Sequence, residues 1–119
     1  MAQQHEFGKK AEQIACDYLL KKGYRILERN YRFEKAEVDL IAQTNNILSV
    51  IEVKARSTTD FGNPQDFITK KKIQLLVKAI DHYVIENDLE VEVRFDVIAI
   101  VKNGTNFMIE HLEDAFYHY

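Results

Sequence analysis

The sequence predicts a single α/β domain in which helices pack on a mixed β-sheet. Three observations carry that expectation. Apolar residues recur at helical spacing in two stretches and at strand spacing in five others, in the order α-β-β-β-α-β-β. A strand hairpin is followed by a long helix and another strand, a succession that mixes antiparallel and parallel pairing in one sheet. The 119 residues form one unit, 1–119, and a chain of that size buries roughly two-thirds of its unfolded surface.

Residues 6–22 form the first helix, because Phe7, Ala11, Ile14, Ala15, Tyr18 and Leu19 make one apolar stripe and Gly23 stops it. Residues 24–33 form a strand with Tyr24, Ile26 and Leu27 turned inward and basic residues between. Residues 37–43 and 47–54 form a hairpin about Asn45-Asn46, since Asn tolerates the positive φ of a tight turn. Residues 56–64 have loop composition. The second helix ends near Asn87 and is striped by Ile73, Leu76, Ile80, Tyr83 and Val84. Its start has two candidates: Asn63 as cap with Pro64 behind it, or Thr69 as cap of a later start. Residues 91–101 form a strand whose near-continuous apolar half predicts burial on both faces. Asn103-Gly104 turns the chain into a last strand near 106–111.

Composition limits the function. No apolar run approaches the roughly 20 residues that span a bilayer, and the polar N-terminus has no secretion-signal core. Cys16 stands alone, which leaves no disulfide framework or cysteine zinc site. A cytoplasmic protein without a membrane is expected. The net charge of −3 is unevenly spread. Residues 1–80 carry 14 Lys/Arg against 10 Asp/Glu, and residues 81–119 carry 2 against 9. A protein acidic overall can therefore present a basic face to a polyanion.

The chemistry concentrates in the hairpin. Charge inside strands costs several kcal/mol unless it is paired or metal-bound, yet Glu37 and Asp39 lie in one strand and Glu52 and Lys54 in the next. With a two-residue Asn45-Asn46 loop, facing residue numbers sum to 91. Asp39 then faces Glu52, Glu37 faces Lys54, and all four converge on one side of the sheet. A divalent cation between the carboxylates turns their repulsion into attraction. Hard oxygen ligands on adjacent strands suit Mg2+ or Mn2+, and Lys54 is placed to orient water or to stabilise charge. The bland alternative is a set of cross-strand salt bridges on a solvated sheet face.

Glu12 falls at the edge of the first helix's stripe, where it can reach over the sheet. Arg56, Lys70, Lys71, Lys72 and Lys78 are candidate phosphate contacts on the loop and second helix. Three successive helical lysines diverge, so at most two can share a substrate. Arg94 and Asp96 share a strand face and read as a structural pair. His5, His82, His111 and His118 lack metal-ligand spacing and read as surface residues.

These motifs form a familiar set: Gly8-x-x-x-Glu12, G-Y-R-I-L-E-R-N-Y-R at 23–32, E-V-D-L-I-A at 37–42 and V-I-E-V-K-A-R at 50–56. F-G-N-P at 61–64, the lysine-rich helix, R-F-D-V-I-A-I at 94–100 and H-L-E-D-A-F at 111–116 complete it. Together they resemble the bacterial YraN family, which is similar to the PD-(D/E)XK nucleases and to archaeal Holliday junction resolvases. The resemblance covers residues 7–116. It implies a restriction-endonuclease-like mixed β-sheet flanked by helices and a Mg2+-dependent (or Mn2+-dependent) endonuclease acting on structured DNA. It places Asp39 and Glu52 as metal ligands, Lys54 as the catalytic lysine, Glu12 as the first-helix acid and Glu37 as the acid before the Asp. Lys35-Ala36 stands where relatives often carry Gly-Gly, and Val38-Asp39 where nucleases carry Pro-Asp. It further implies a homodimer, since two strands of a branched junction need two sites. The alternatives on the same fold are a non-catalytic nucleic-acid-binding or adaptor protein and a protein-interaction module using the acidic C-terminal third.

Overall fold

The computed structural model describes residues 2–57 and 68–116, with the backbone alone for residues 2–5. The element order is α1 (Ala2–Lys21), β1 (Arg25–Phe33), β2 (Ala36–Thr44), β3 (Ile47–Ser57), α2 (Lys70–Glu86), β4 (Glu92–Asn103) and β5 (Asn106–Leu112). This is the α-β-β-β-α-β-β succession that the apolar periodicities predict. The five strands lie side by side in chain order in one sheet. β1–β2, β2–β3 and β4–β5 are antiparallel, and β3–β4 is parallel. Parallel neighbours need a crossover, and α2 lies in the connection between β3 and β4.

Each helix buries one stripe against one sheet face, giving three layers. Ala11, Ala15, Cys16 and Leu19 of α1 pack with Leu40, Ala42, Ile51, Ile98 and Ile100. Leu76, Ala79, Ile80 and Tyr83 of α2 pack with Val38, Ile41, Leu48, Val50 and Phe95 on the other face. Burying each Leu, Ile or Phe fully is worth about 1.5–3 kcal/mol. Phe95 through Ile100 are all buried, because β4 is flanked by strands on both sides and covered on both faces. Ile26 packs toward α1 and Leu27 toward α2, so β1 contributes to both layers rather than to one. A register shift between Ile26 and Glu28 accompanies that split.

The helix ends follow local chemistry. Gly23, at φ 92°, terminates α1. Tyr24 N–H donates to the Leu19 carbonyl and Gly23 N–H to the Leu20 carbonyl, which satisfies two end carbonyls. Thr69 caps α2 by accepting from Lys72 N–H at 3.1 Å, so the later of the two candidate starts is the one adopted. Asn63 and Pro64 lie outside the described residues. Asp88 takes the left-handed conformation after Asn87, and Leu89 N–H returns to the Val84 carbonyl.

The turns set the strand registers. Asn45, at φ 52°, opens the two-residue loop between β2 and β3, and facing numbers sum to 91 from Thr44↔Ile47 to Leu40↔Ile51. The last hairpin pairs Asn103 with Asn106. Its loop is therefore Gly104-Thr105, one residue later than the Asn-Gly dipeptide suggests, with Gly104 at φ 64°. No helix among the described residues is long and apolar enough to cross a membrane.

Candidate active site

The β2–β3 ladder ends at Leu40↔Ile51, one step before the chemistry begins. The side-chain alternation of β2 slips at the same place. Val38 and Ile41 both pack toward α2, whereas Leu40 and Ala42 pack toward α1. Strict alternation would put Val38 and Leu40 on one side. On the β1 flank, Asn30 is the residue set opposite Asp39, between Tyr31↔Val38 and Arg29↔Leu40. Asn30 has φ 54°, and the pairing skips it. Asp39 thus sits where β2 leaves both neighbours, and its Oδ2 accepts the Val53 N–H at 2.8 Å.

Glu52 continues β3 on the face toward α2 and is only 3% exposed. Its Oε2 receives Lys72 Nζ at 2.8 Å and lies 3.7 Å from Lys54 Nζ. Its Oε1 is buried without a hydrogen-bond partner among the described residues. Glu12 on α1 likewise has a buried Oε1 with no partner among the described residues. Glu12 and Asp39 line one cavity of about 280 Å3 with Gly8, Lys9, Ala11, Val53 and Ala55. Burial pushes the Asp39 carboxyl up to about 7, and the Glu52 charge adds to that. The Val53 N–H opposes the shift, Glu12 reinforces it, and Lys72 opposes it. Asp39 therefore feels Glu52, Glu12 and Lys72 together.

An unmatched buried carboxylate oxygen costs about 1–3 kcal/mol or more. Two of them beside a carboxyl that resists ionisation leave lone pairs unsatisfied among the described residues, although Lys72 and Lys54 pair the charge of Glu52. A divalent cation would satisfy such lone pairs, and hard carboxylate oxygens are the donors that Mg2+ and Mn2+ take. Among the described residues no three His, Cys, Asp or Glu groups form a ready-made metal cage. Mg2+ takes one or two carboxylates and fills its remaining positions with water and phosphate oxygens.

The other candidates separate into those at the site and those elsewhere. Lys54 is at the site, but its partner is Glu52 rather than Glu37. Glu37 bonds Arg32 across the β1–β2 pair at 3.2 Å and is 44% exposed. The expected convergence of Glu37, Asp39, Glu52 and Lys54 is thus corrected by the loss of Glu37, because the ladder stops before Glu37 and Lys54 can face each other; Glu12 shares a cavity with Asp39, and Lys72 joins Lys54 at Glu52. Lys72, read from sequence as a phosphate contact, is the closest cation to Glu52. Lys70 and Lys71 are exposed at the start of α2, and Lys78 pairs with Glu34 at 3.1 Å. Arg56 is half-buried on β3, two residues beyond Lys54. Lys35, Glu37, Thr69, Lys71 and Lys72 line a second cavity of about 300 Å3. Lys9 was not a sequence candidate, although its place one helical turn before Glu12 puts it in the first cavity.

A second polar cluster lies nearer the other end of β4. Asp96 is fully buried and accepts from Ser49 Oγ at 2.6 Å, Arg94 Nη2 at 2.8 Å and the Asp114 N–H at 3.1 Å. His111 Nε2 donates to the same carboxylate at 2.9 Å, and its Nδ1 lies 2.9 Å from the Tyr18 hydroxyl. Arg94 also donates to the Tyr24 hydroxyl at 2.6 Å. Burial pushes Asp96 up, but His111, Arg94, Ser49 and the Asp114 amide outweigh it and hold the carboxyl at about 2. The expected Arg94–Asp96 pair is present inside this network. His111, expected at the surface, has a side chain only 5% exposed. Its burial comes from Tyr18 and Tyr24, which are distant in sequence. His82 is half-exposed, stacked on Phe33 and paired with Glu86.

The family model described as "Uncharacterised protein family UPF0102" matches residues 11–100. The chain is 57% identical over its whole length to all of a UPF0102 protein of Flavobacterium psychrophilum. It is 58% identical, again end to end, to one of Christiangramia forsetii. One from Phocaeicola vulgatus is 47% identical over 98% of this chain and 97% of its own.

Proposed function

This chain belongs to the uncharacterised protein family UPF0102, which corresponds to the YraN family, and we propose that it is a divalent-metal-dependent endonuclease acting on structured DNA in the cytoplasm. The observation that carries the reading is the pair of buried, unpartnered oxygens, Glu12 Oε1 and Glu52 Oε1, around the poorly ionised Asp39. Buried oxygens that find no partner among the described residues cost stability and favour a ligand there.

Glu12, Asp39 and Glu52 would hold Mg2+ or Mn2+. Such an ion supplies Lewis acidity and acidifies a water ligand toward neutral pH. Hydrolysis forms a P–O bond to water and breaks one ester P–O bond, and negative charge builds on the phosphoryl oxygens. Lys54, 29% exposed beside Glu52, presents its ammonium where that charge develops. The Val53 N–H fixes the Asp39 carboxylate and so presents its remaining lone pairs toward the Glu12 cavity. Lys70, Lys71 and Arg56 supply sequence-independent phosphate contacts around the site. A homodimer belongs to the same proposal, because cutting both strands of a junction needs two sites.

The test is cleavage of labelled four-way junction, flap, single-stranded and duplex DNA with Mg2+ or Mn2+. Wild type is compared with Glu52→Ala and Lys54→Ala. Metal-dependent cutting that both variants lose supports the reading and names the substrate. Junction binding without cutting by wild type favours a non-catalytic binding module.

A further inference from the structure

Lys72 holds Glu52 closer than Lys54 does, at 2.8 Å against 3.7 Å, and on the same oxygen. Glu52 is nearly fully buried, and an ionised carboxylate there needs a cation. We propose that Lys72 is a stand-in cation, which neutralises Glu52 in the metal-free protein and transfers to a substrate phosphate when a divalent ion takes Glu52. The inference rests on the metal-dependent reading of the same site and adds how ion and nucleic acid become coupled there.

Three features make the transfer physically direct. The first is repulsion. A divalent ion on Glu52 brings two positive charges to within a few ångströms of the Lys72 ammonium, and the ammonium leaves unless an anion joins it. The second is freedom of movement. Thr69 fixes the Lys72 backbone through its N–H, while the side chain is 41% exposed. The ammonium can therefore swing without any shift of α2. The third is destination. Lys72 also lines the second cavity with Lys35, Lys71, Thr69 and Glu37, whose carboxylate is paired with Arg32. That cavity adjoins the first turn of α2, where helix geometry favours an anion. An ammonium released from Glu52 meets a phosphate in a region already basic.

Coupling of this kind is reciprocal. Phosphate that draws Lys72 away strengthens ion binding, and the ion that displaces Lys72 strengthens phosphate binding. The neutral variant Lys72→Met removes the competitor and the phosphate contact together. It should bind the ion more tightly alone and DNA more weakly, and mutual enhancement should shrink.

The experiment measures free Mn2+ by electron paramagnetic resonance, with and without a short DNA duplex. Fluorescence anisotropy reports the reverse effect of Mn2+ on DNA affinity. Wild type, Lys72→Met, Lys72→Gln and Lys72→Arg are compared, with circular dichroism as the check on folding. Lys72→Gln keeps a donor toward Glu52 without charge and serves if Lys72→Met does not fold. The expected result is about tenfold tighter Mn2+ binding by the neutral variants without DNA, within the usual range of coupling between sites. Their mutual enhancement should fall by a similar factor, and Lys72→Arg should follow wild type. Equal or weaker Mn2+ binding by the neutral variants, or undiminished enhancement, overturns the role of Lys72 alone. Absence of Mn2+ binding by wild type, with and without DNA, overturns both this role and the metal-dependent reading.

Discussion

Replacing Asp39 with Asn should stabilise the metal-free protein at neutral and alkaline pH. Asp39 is raised from 3.8 to about 7 by burial and then by the Glu52 charge. A carboxyl whose folded pKa lies above its unfolded value favours folding less and less as pH rises between the two. The penalty begins near pH 4 and is complete above about 7. At about 1.4 kcal/mol per pH unit, it amounts to roughly 2–4 kcal/mol at pH 8. Asn carries no charge, and its side-chain oxygen can still accept the Val53 N–H that Asp39 accepts at 2.8 Å. For a domain of this size a gain of that order raises Tm by roughly 10 °C. The assay is urea unfolding of both proteins in EDTA at several pH values. The Asp39→Asn variant should be the more stable at pH 8, and the gap should close toward pH 4. Equal stability at pH 8, or a gap that does not change with pH, refutes the reasoning that Asp39 is held under electrostatic strain.

Three further outcomes follow from the same structure. Asp96 is held at about 2, below its unfolded value of 3.8. Its contribution to stability is therefore present above pH 4 and is lost as pH falls from about 4 to 2. Asp96→Asn should lower stability at pH 7 by about 3–5 kcal/mol, because Arg94 is left without its buried carboxylate, and urea unfolding against pH checks both statements. Lys54→Ala should fold normally yet cut DNA about 100- to 1000-fold more slowly, as expected for loss of a group that stabilises transition-state charge. Single-turnover cleavage measures it. Ile80→Ala should cost about 2–5 kcal/mol, since Ile80 is 1% exposed in the α2 layer. Cleavage by the folded fraction should be unchanged, because Ile80 belongs to the apolar layer and not to the charged site.

The fold was legible wherever local chemistry and periodicity agreed. Two residues, Asn45 and Asn46, set the β2–β3 register, because side chains repeat every second residue and the turn admits one pairing. The same rule failed one step past Leu40↔Ile51. There Asp39 takes the Val53 N–H in place of the ladder, and no pattern of apolar residues encodes that substitution. This is why the strand pattern sets Glu37 opposite Lys54 while the structure sets it on Arg32. Among Lys70, Lys71 and Lys72, the sequence did not distinguish the residue that meets Glu52. The choice depends on where α2 begins, and Thr69 as cap decides the phase. The burial of His111 is hidden from the sequence for a different reason. The residue lies on an edge strand whose other side chains are largely exposed, and its burial is made by Tyr18 and Tyr24. Contacts between residues so far apart in sequence leave no local trace.

The most direct test of the metal site is anomalous diffraction from crystals equilibrated with millimolar Mn2+, with and without a nucleoside monophosphate as a phosphate source. The expected result is a manganese peak bounded by the Glu12, Asp39 and Glu52 carboxylates, absent from Glu52→Gln crystals. A map with no peak there under either condition, or with manganese held only by other side chains, would contradict the assignment of these three residues.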